Sequence, residues 1–261
     1  MRNKFFRLKS FIAYWLNAVD EHSLHSPFFF DFYTKTLQAK DVTIGVIQIE
    51  ELRIGLLRDD RTIEVTDYGS GSAHFKSSRR KISDIARSSL SPQKYSLLYL
   101  SIIHRLNCKN LLELGTSLGI NALYLSTVKE SNVITFEGSN AIAAVAQGLF
   151  DPFGATNITL ITGNIDHTLP SQIPSIANID FAFLDAHHRY RPTLQYFDSL
   201  VQKIHERSVI VLDDIHHSPE MEKAWNEIKA HERVYATADL YRCGIVFFDP
   251  SLNKQHVVLQ F

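Results

Sequence analysis

The sequence predicts an α/β protein: a mostly parallel sheet covered by helices on both faces, preceded by a helical N-terminal extension. Three observations carry this. Beyond residue 108, short near-continuous apolar runs alternate with amphipathic stretches, the pattern of strands buried on both faces and joined by helices. Ser or Ser-Pro stands at the head of several amphipathic stretches, where helix N-termini favour these residues. The 261 residues, 45% hydrophobic and 21% charged, suit one large α/β domain with a small extension, and neither a disordered nor a fibrous chain.

The elements follow in order. Ser91-Pro92 opens a helix running to about Leu106. The first strand is Asn110–Leu114, followed by a glycine-containing turn and a helix from Asn121. The second strand is Val133–Glu137, and Ser139 caps the Ala-rich helix after it. The third is Ile158–Thr162, the fourth Ile179–Asp185 with a helix after Pro192, the fifth Ser208–Asp213 with Ser218-Pro219 opening the next helix. Val234–Ala238 and Ile245–Phe248 read as a closing hairpin around Gly244, and His256–Phe261 as an edge strand. Before residue 108 the pattern is mixed, and the expected division is a mostly helical extension or cap over 1–90 and the main domain over 91–261. Phe28, Phe29, Phe30, Phe32 and Tyr33 suggest a small core with the first helix. Arg79-Arg80-Lys81 reads as a solvated helix face, and Asp67–Ser72 as a loop.

Charge excludes some functions. A net charge of −1 gives no whole-chain grip on nucleic acid or anionic membrane, so a nucleic-acid partner is disfavoured. Residues 1–108 carry +5 and the remainder −6. Cys108 and Cys243 make no disulfide framework and no zinc spacing, which fits a reducing cytoplasm, the expected location. No stretch approaches the ~20 apolar residues of a transmembrane segment. The basic N-terminus runs from a short apolar stretch into Asp20-Glu21 without a small-residue cleavage site, so export is not expected. Phe5, Leu8, Ile12, Trp15, Leu16 and Val19 follow helical spacing, predicting an amphipathic helix that docks on the domain or pairs with a partner, such as a second copy. Arg2, Lys4, Arg7 and Lys9 beside it make a membrane-surface role the secondary reading.

Ligands of parallel sheets bind beyond the carboxyl ends of the strands. The first strand ends in Glu113-Leu114-Gly115-Thr116-Ser117-Leu118-Gly119-Ile120-Asn121. Its glycines allow a tight turn and close backbone approach. The second strand ends in Glu137, a carboxylate placed to accept both hydroxyls of a ribose. Together they suggest a nucleoside-bearing cofactor. The turn is E-x-G-x-x-x-G, not the G-x-G-x-x-G of dinucleotide sites, and a carboxylate leading it suits a ligand with an ammonium group better than a pyrophosphate.

LLELGTSLGINALYLS, VITFEGS, ITGNI, DFAFLDAHHRY and VIVLDDI, in that order, resemble a class I S-adenosylmethionine-dependent methyltransferase over about residues 92–250. The pattern is similar to the catechol-type and bacterial metal-dependent O-methyltransferases. The resemblance implies a doubly wound, mostly parallel, Rossmann-like seven-stranded sheet whose last strand is antiparallel. It implies S-adenosylmethionine as cofactor, with Glu113, Gly115, Ser117, Gly119 and Asn121 around its methionine part. It places Glu137 on the ribose, Gly138 and Ser139 beside the adenosine, Asn164 and Ile165 near the adenine, and Asp185 at the cofactor as well. Asn164 stands where an Asp is common in that family.

The resemblance further implies a divalent metal, magnesium first, on Asp185, Asp213 and Asp214; three converging carboxylates otherwise repel one another. Asp214 replaces the usual Asn. His188 stands at the position of the family's catalytic Lys and can remove the hydroxyl proton. His187, His216 and His217 crowd the same region and could instead make a softer site for Mn, Fe or Zn. The expected reaction is metal-assisted O-methylation of a small-molecule hydroxyl. The alternatives are a metal-independent N- or RNA methyltransferase, a non-catalytic cofactor-binding or scaffold protein, and an NAD-dependent enzyme.

Overall fold

A computed structural model describes residues 2–38, 44–66 and 78–261. In chain order these form α1 (Arg2–Asn17), α2 (Pro27–Phe32), α3 (Ile44–Leu57), β1 (Thr62–Glu64), β2 (Arg79–Lys81), α4 (Ile82–Ser89) and α5 (Gln93–Leu106). There follow β3 (Asn110–Leu114), α6 (Ile120–Ser126), β4 (Asn132–Glu137), α7 (Asn140–Phe153), β5 (Ile158–Thr162) and α8 (Ile165–Gln172). The chain ends with β6 (Ile179–Leu184), α9 (Tyr190–Val201), β7 (Ile204–Asp213), α10 (Pro219–Ala230), β8 (Ala236–Asp239), β9 (Cys243–Phe247) and β10 (Gln255–Val258). They gather into two compact units: residues 40–174, and residues 1–39 with 175–261. The division expected at residue 91 falls inside the first of these. The glycine turn Asp67–Ser72 lies outside the described residues.

In the unit of residues 40–174, β3, β4 and β5 run parallel, with β4 in the middle. Leu111, Leu112 and Leu114 are buried, as a strand covered on both faces requires. The register sets Glu113 beside Thr135 and Glu137 beside Thr162, so both acids stand near the carboxyl ends of their strands. Arg79–Lys81 is not a helix face: it is β2, paired antiparallel with β1, where Lys81 meets Asp60 at 3.0 Å.

In the unit of residues 1–39 and 175–261 the strand order is β6-β7-β9-β8-β10. β6 and β7 are parallel, β9 is antiparallel to both β7 and β8, and β10 is parallel to β8. The antiparallel strand that the resemblance implies is therefore β9, and β10 lies at the edge of this unit's sheet beside β8, where the sequence placed an edge strand.

The closing hairpin turns elsewhere than expected. Its tip is Leu240–Arg242, with Tyr241 at φ 65°, and Gly244 lies inside β9. The reason is α10. A Cβ on Gly244 would lie 2.6 Å from the ring of Trp225, which is 1% exposed. Gly244→Ala is expected to cost about 1–3 kcal/mol through overpacking, read as a lowered midpoint of thermal unfolding.

The N-terminal helix forms as expected, but its large apolar residues do not dock. Phe5 is 73% exposed, Trp15 69% and Leu16 69%. The opposite face meets the unit instead: Ser10 donates to Glu222 at 3.1 Å, and the Tyr14 hydroxyl donates to the Leu259 carbonyl at 2.7 Å. The aromatic cluster of α2 packs on β9, with Phe28, Phe29 and Phe32 all against Phe247, while Phe30 stays exposed.

Candidate active site

Two clusters stand at strand ends, one in each unit. In the unit of residues 40–174, the turn after β3 is shaped by positive φ at Gly115 (101°), Ser117 (48°) and Gly119 (85°). A Cβ on Gly119 would sit 2.7 Å from Phe150, so only glycine brings the start of α6 down onto α7. The Gly115 and Thr116 N–H groups both donate to the Phe136 carbonyl, which ties the turn to β4.

Glu137 completes the tie. One carboxylate oxygen accepts from the Ser117 N–H at 2.9 Å and the other from the Ser139 N–H at 2.9 Å. Its backbone carbonyl accepts from the Gly163 N–H at 2.9 Å, which sets Asn164 and Ile165 beside it in the chain. Gly138 separates Glu137 from Ser139. The acid read as a ribose ligand is therefore also the clasp between the turns after β3 and β4.

Glu113 lies deeper than the sequence suggested. It is 0% exposed, accepts from the Asn121 amide at 2.8 Å, and accepts from the Thr135 hydroxyl at 2.5 Å. Thr135 in turn meets Thr116 Oγ1 at 2.6 Å. Glu113 thus orients Asn121 instead of presenting itself at a surface. Thr135 was missed by sequence reading, although its place opposite Glu113 follows from the register of adjacent strands. Ser117 Oγ lies 2.7 Å from Ser89 Oγ. Asn164 caps α8 by accepting the Asp166 N–H at 3.0 Å, a role its side-chain oxygen fills as an Asp would.

Two buried polar atoms in this cluster have no hydrogen-bond partner: Asn121 Oδ1 and Ser139 Oγ. Leaving a buried polar group unmatched costs about 1–3 kcal/mol, which makes these two atoms candidates for contact with polar atoms of a ligand. A ligand with an ammonium at one end and a nucleoside at the other fits these atoms, the glycine turn and Glu137.

The second cluster belongs to the other unit. Asp185 follows β6, and His187 and His188 follow it with φ of 62° and 41°. Left-handed backbone at non-glycine residues costs about 1–3 kcal/mol each and gathers at functional sites. His188 Nε2 lies 3.2 Å from Asp185 Oδ1. Burial alone would lower the His188 imidazole. The hydrogen bond and charge of Asp185, then the charges of Asp214 and Asp213, outweigh burial and raise it to about 9.

Asp213 ends β7 at 1% exposure, and the Arg242 guanidinium from the β8–β9 turn grips it with two hydrogen bonds of 3.1 and 2.9 Å. Burial and the Asp185 and Asp214 carboxylates push Asp213 up, and Arg242 opposes them. Asp214, at φ 54°, pairs with His217 at 3.2 Å. There burial acts upward, but His217, His188 and Arg242 outweigh it and hold the carboxyl at about 2. The His188 and His217 rings stack at 5.9 Å. His216 is engaged elsewhere, with Asp239 at 2.8 Å and Glu222 at 3.2 Å.

The three aspartates therefore neighbour one another as expected, but not as one donor set. Each has its own cationic or histidine partner, and among the described residues no three His, Cys, Asp or Glu side chains group in a way that could hold a metal. Neither the three-aspartate magnesium site nor the softer histidine site has a fitting ligand set. The residue that sequence reading missed here is Arg242. The need for countercharge beside three carboxylates was the one signal that could have led to it.

Residues 112–215 match a family model described as a methyltransferase domain. A comparison with curated proteins finds no match. Among solved structures, a putative O-methyltransferase from Klebsiella pneumoniae is similar with a TM-score of 0.56 at 15% identity, over 84% of this chain and 95% of that one. The methyltransferase PaMTH1 of Podospora anserina, bound to SAH, aligns with a TM-score of 0.60 at 13% identity, over 87% of this chain and 97% of that one. The O-methyltransferase TomG of Streptomyces achromogenes, involved in tomaymycin synthesis and in complex with SAM, aligns with a TM-score of 0.56 at 15% identity, over 84% and 95%. At such identities the likeness establishes the fold.

Proposed function

We propose that this chain, whose residues 112–215 match a methyltransferase-domain model and whose fold is that of solved methyltransferases, is an enzyme that moves a methyl group from S-adenosylmethionine to a hydroxyl of a small molecule. The observation that carries this reading is the cluster at the ends of β3 and β4: the Glu137 clasp with the unmatched Asn121 Oδ1 and Ser139 Oγ beside it. In the proposal Asn121, held by Glu113, accepts the ammonium of the methionine part. Glu137 accepts the ribose hydroxyls, Gly115, Ser117 and Gly119 let the backbone approach the ligand, and Gly138, Ser139, Asn164 and Ile165 line the nucleoside. When bound, the cofactor supplies a sulfonium-activated methyl group.

The acceptor half of the chemistry falls to the second cluster. Asp185 fixes the His188 ring, and neutral His188 takes the proton of the acceptor hydroxyl. Residues 1–90 as cap, 91–261 as catalytic domain and a cytoplasmic setting belong to the same proposal. Cys108 and Cys243 are both buried and form no disulfide, which agrees with that setting.

No step is routed through a metal, because the aspartates do not fit one as placed. Arg242 supplies the fixed positive charge beside Asp213. Methyl transfer is expected to persist in EDTA, and added Mg²⁺ or Mn²⁺ is expected to leave the unfolding midpoint of the native protein unchanged. Arg242→Gln leaves Asp213 buried without its cation and is expected to cost about 3–5 kcal/mol. Activity abolished by EDTA and restored by Mg²⁺ would return the aspartates to a metal. The overall reading is tested by methyl transfer from labelled S-adenosylmethionine to a panel of small hydroxyl compounds; a folded protein that binds the cofactor yet methylates only nitrogen or RNA acceptors would overturn the acceptor assignment.

A further inference from the structure

The outward face of α1 carries Phe5, Leu8, Ile12, Trp15 and Leu16, each between 49% and 73% exposed. These residues recur at helical spacing, so they form one continuous stripe. The helix holds its own unit by other residues: Ser10 on Glu222, Tyr14 on the Leu259 carbonyl, and Arg7 Nε on the His217 carbonyl at 3.1 Å. The stripe is therefore not a face awaiting its own unit.

Charge identifies what it meets. Residues 1–19 contain no acidic residue, and the exposed Lys4 and Lys9 lie beside the stripe. Two copies of the helix packed stripe to stripe would bring these lysines together with no carboxylate of α1 to offset them. The face is also small for a dimer: a 16-residue helix is about 24 Å long and ~10 Å wide, a footprint well under the roughly 800 Å² per partner of a stable interface. At 16 residues α1 is also shorter than the ~20 needed to span a bilayer. Large apolar residues including a Trp, rimmed by lysines, are the composition of a helix lying in the plane of an anionic lipid surface.

We propose that the outward face of α1 docks the protein on membranes rich in anionic lipid. Through Arg7 on His217, and the Tyr241 hydroxyl donating to the Arg7 carbonyl at 3.1 Å, the docked helix is joined to the Asp214–His217 pair of the second cluster.

The test is co-sedimentation of the full chain with vesicles of mixed phosphatidylglycerol and phosphatidylcholine, and with phosphatidylcholine alone. Binding is expected to the mixed vesicles and to fall steeply with salt. The chain has two tryptophans, and Trp225 is buried, so a blue shift and loss of acrylamide quenching on binding report Trp15. The double variant Lys4→Glu/Lys9→Glu is expected to bind at least about tenfold more weakly. Phe5→Ser/Leu8→Ser is expected to lose the Trp15 shift, with its circular dichroism and cofactor affinity unchanged. Failure of the native protein to bind anionic vesicles would overturn the proposal, as would undiminished binding by the charge-reversed variant. So would a dimer in solution that shields Trp15 without lipid, which would assign the face to a second copy.

Discussion

His188→Ala is expected to lower kcat by roughly 10²–10⁴-fold, the range for loss of a positioned proton acceptor, while S-adenosylmethionine binds as before. The pH profile separates this role from a structural one. The Asp185 partner and the other carboxylates raise His188 to about 9, so at neutral pH it rests as an imidazolium. A base must first lose that proton. In the native enzyme kcat is therefore expected to rise about tenfold per pH unit below about 9 and to level off above it. The alanine variant should lose this rise. The sign for stability is opposite. A group raised on folding stabilises the folded state fully below its unfolded value near ~6.5, and that contribution is lost as pH climbs through about 9. Activity should therefore increase over a window in which the native fold weakens. A native profile that levels off well below that pH, or an alanine variant of undiminished kcat, would remove His188 from the proton transfer.

Glu137→Ala is expected to weaken cofactor binding by ~100-fold or more. The carboxylate would accept two ribose hydroxyls, and hydrogen bonds to a charged group contribute about 1.5–3 kcal/mol each. It also holds the Ser117 and Ser139 N–H groups, so alanine opens the clasp as well as removing the ligand contact. Glutamine should fare little better, since its amide N–H would face one of those two backbone donors. Because both variants lose structural bonds, Asn121→Ala provides the control: it removes one ligand acceptor and leaves the clasp intact. Calorimetry should then find weaker binding, with the unfolding midpoint lowered by the loss of the Asn121 hydrogen bond to buried Glu113, about 1–3 kcal/mol.

How much of this was legible in the sequence follows from which interactions are local. Strands β3, β4, β5, β6 and β7 were visible because each is a short apolar run bounded by turn residues. The glycine turn and Glu137 were visible because a tight turn and a strand-end acid leave residue-type signatures at fixed spacing. The roles of individual acids were not. A strand-end carboxylate reads the same whether it is a ligand or, like Glu113, fully buried and bound to its neighbours. Arg242 was invisible because it neutralises Asp213 from 29 residues away, across a turn whose place in the chain was itself misread. That misreading has a packing cause: Gly244 is small for the Trp225 ring, not for a turn. Helix α1 shows a further limit. Periodicity reveals an apolar stripe but not which medium the stripe faces, and its turn away from the protein depends on contacts by Arg7, Ser10 and Tyr14 to residues more than 200 positions distant.

The most direct measurement is a calorimetric titration of the folded native chain with S-adenosylmethionine and with S-adenosylhomocysteine, repeated on Glu137→Ala. Saturable one-to-one binding of both by the native protein, largely lost in the variant, is the expected result. A folded native protein that takes up neither compound would contradict the cofactor assignment, and with it the methyl transfer built on that assignment.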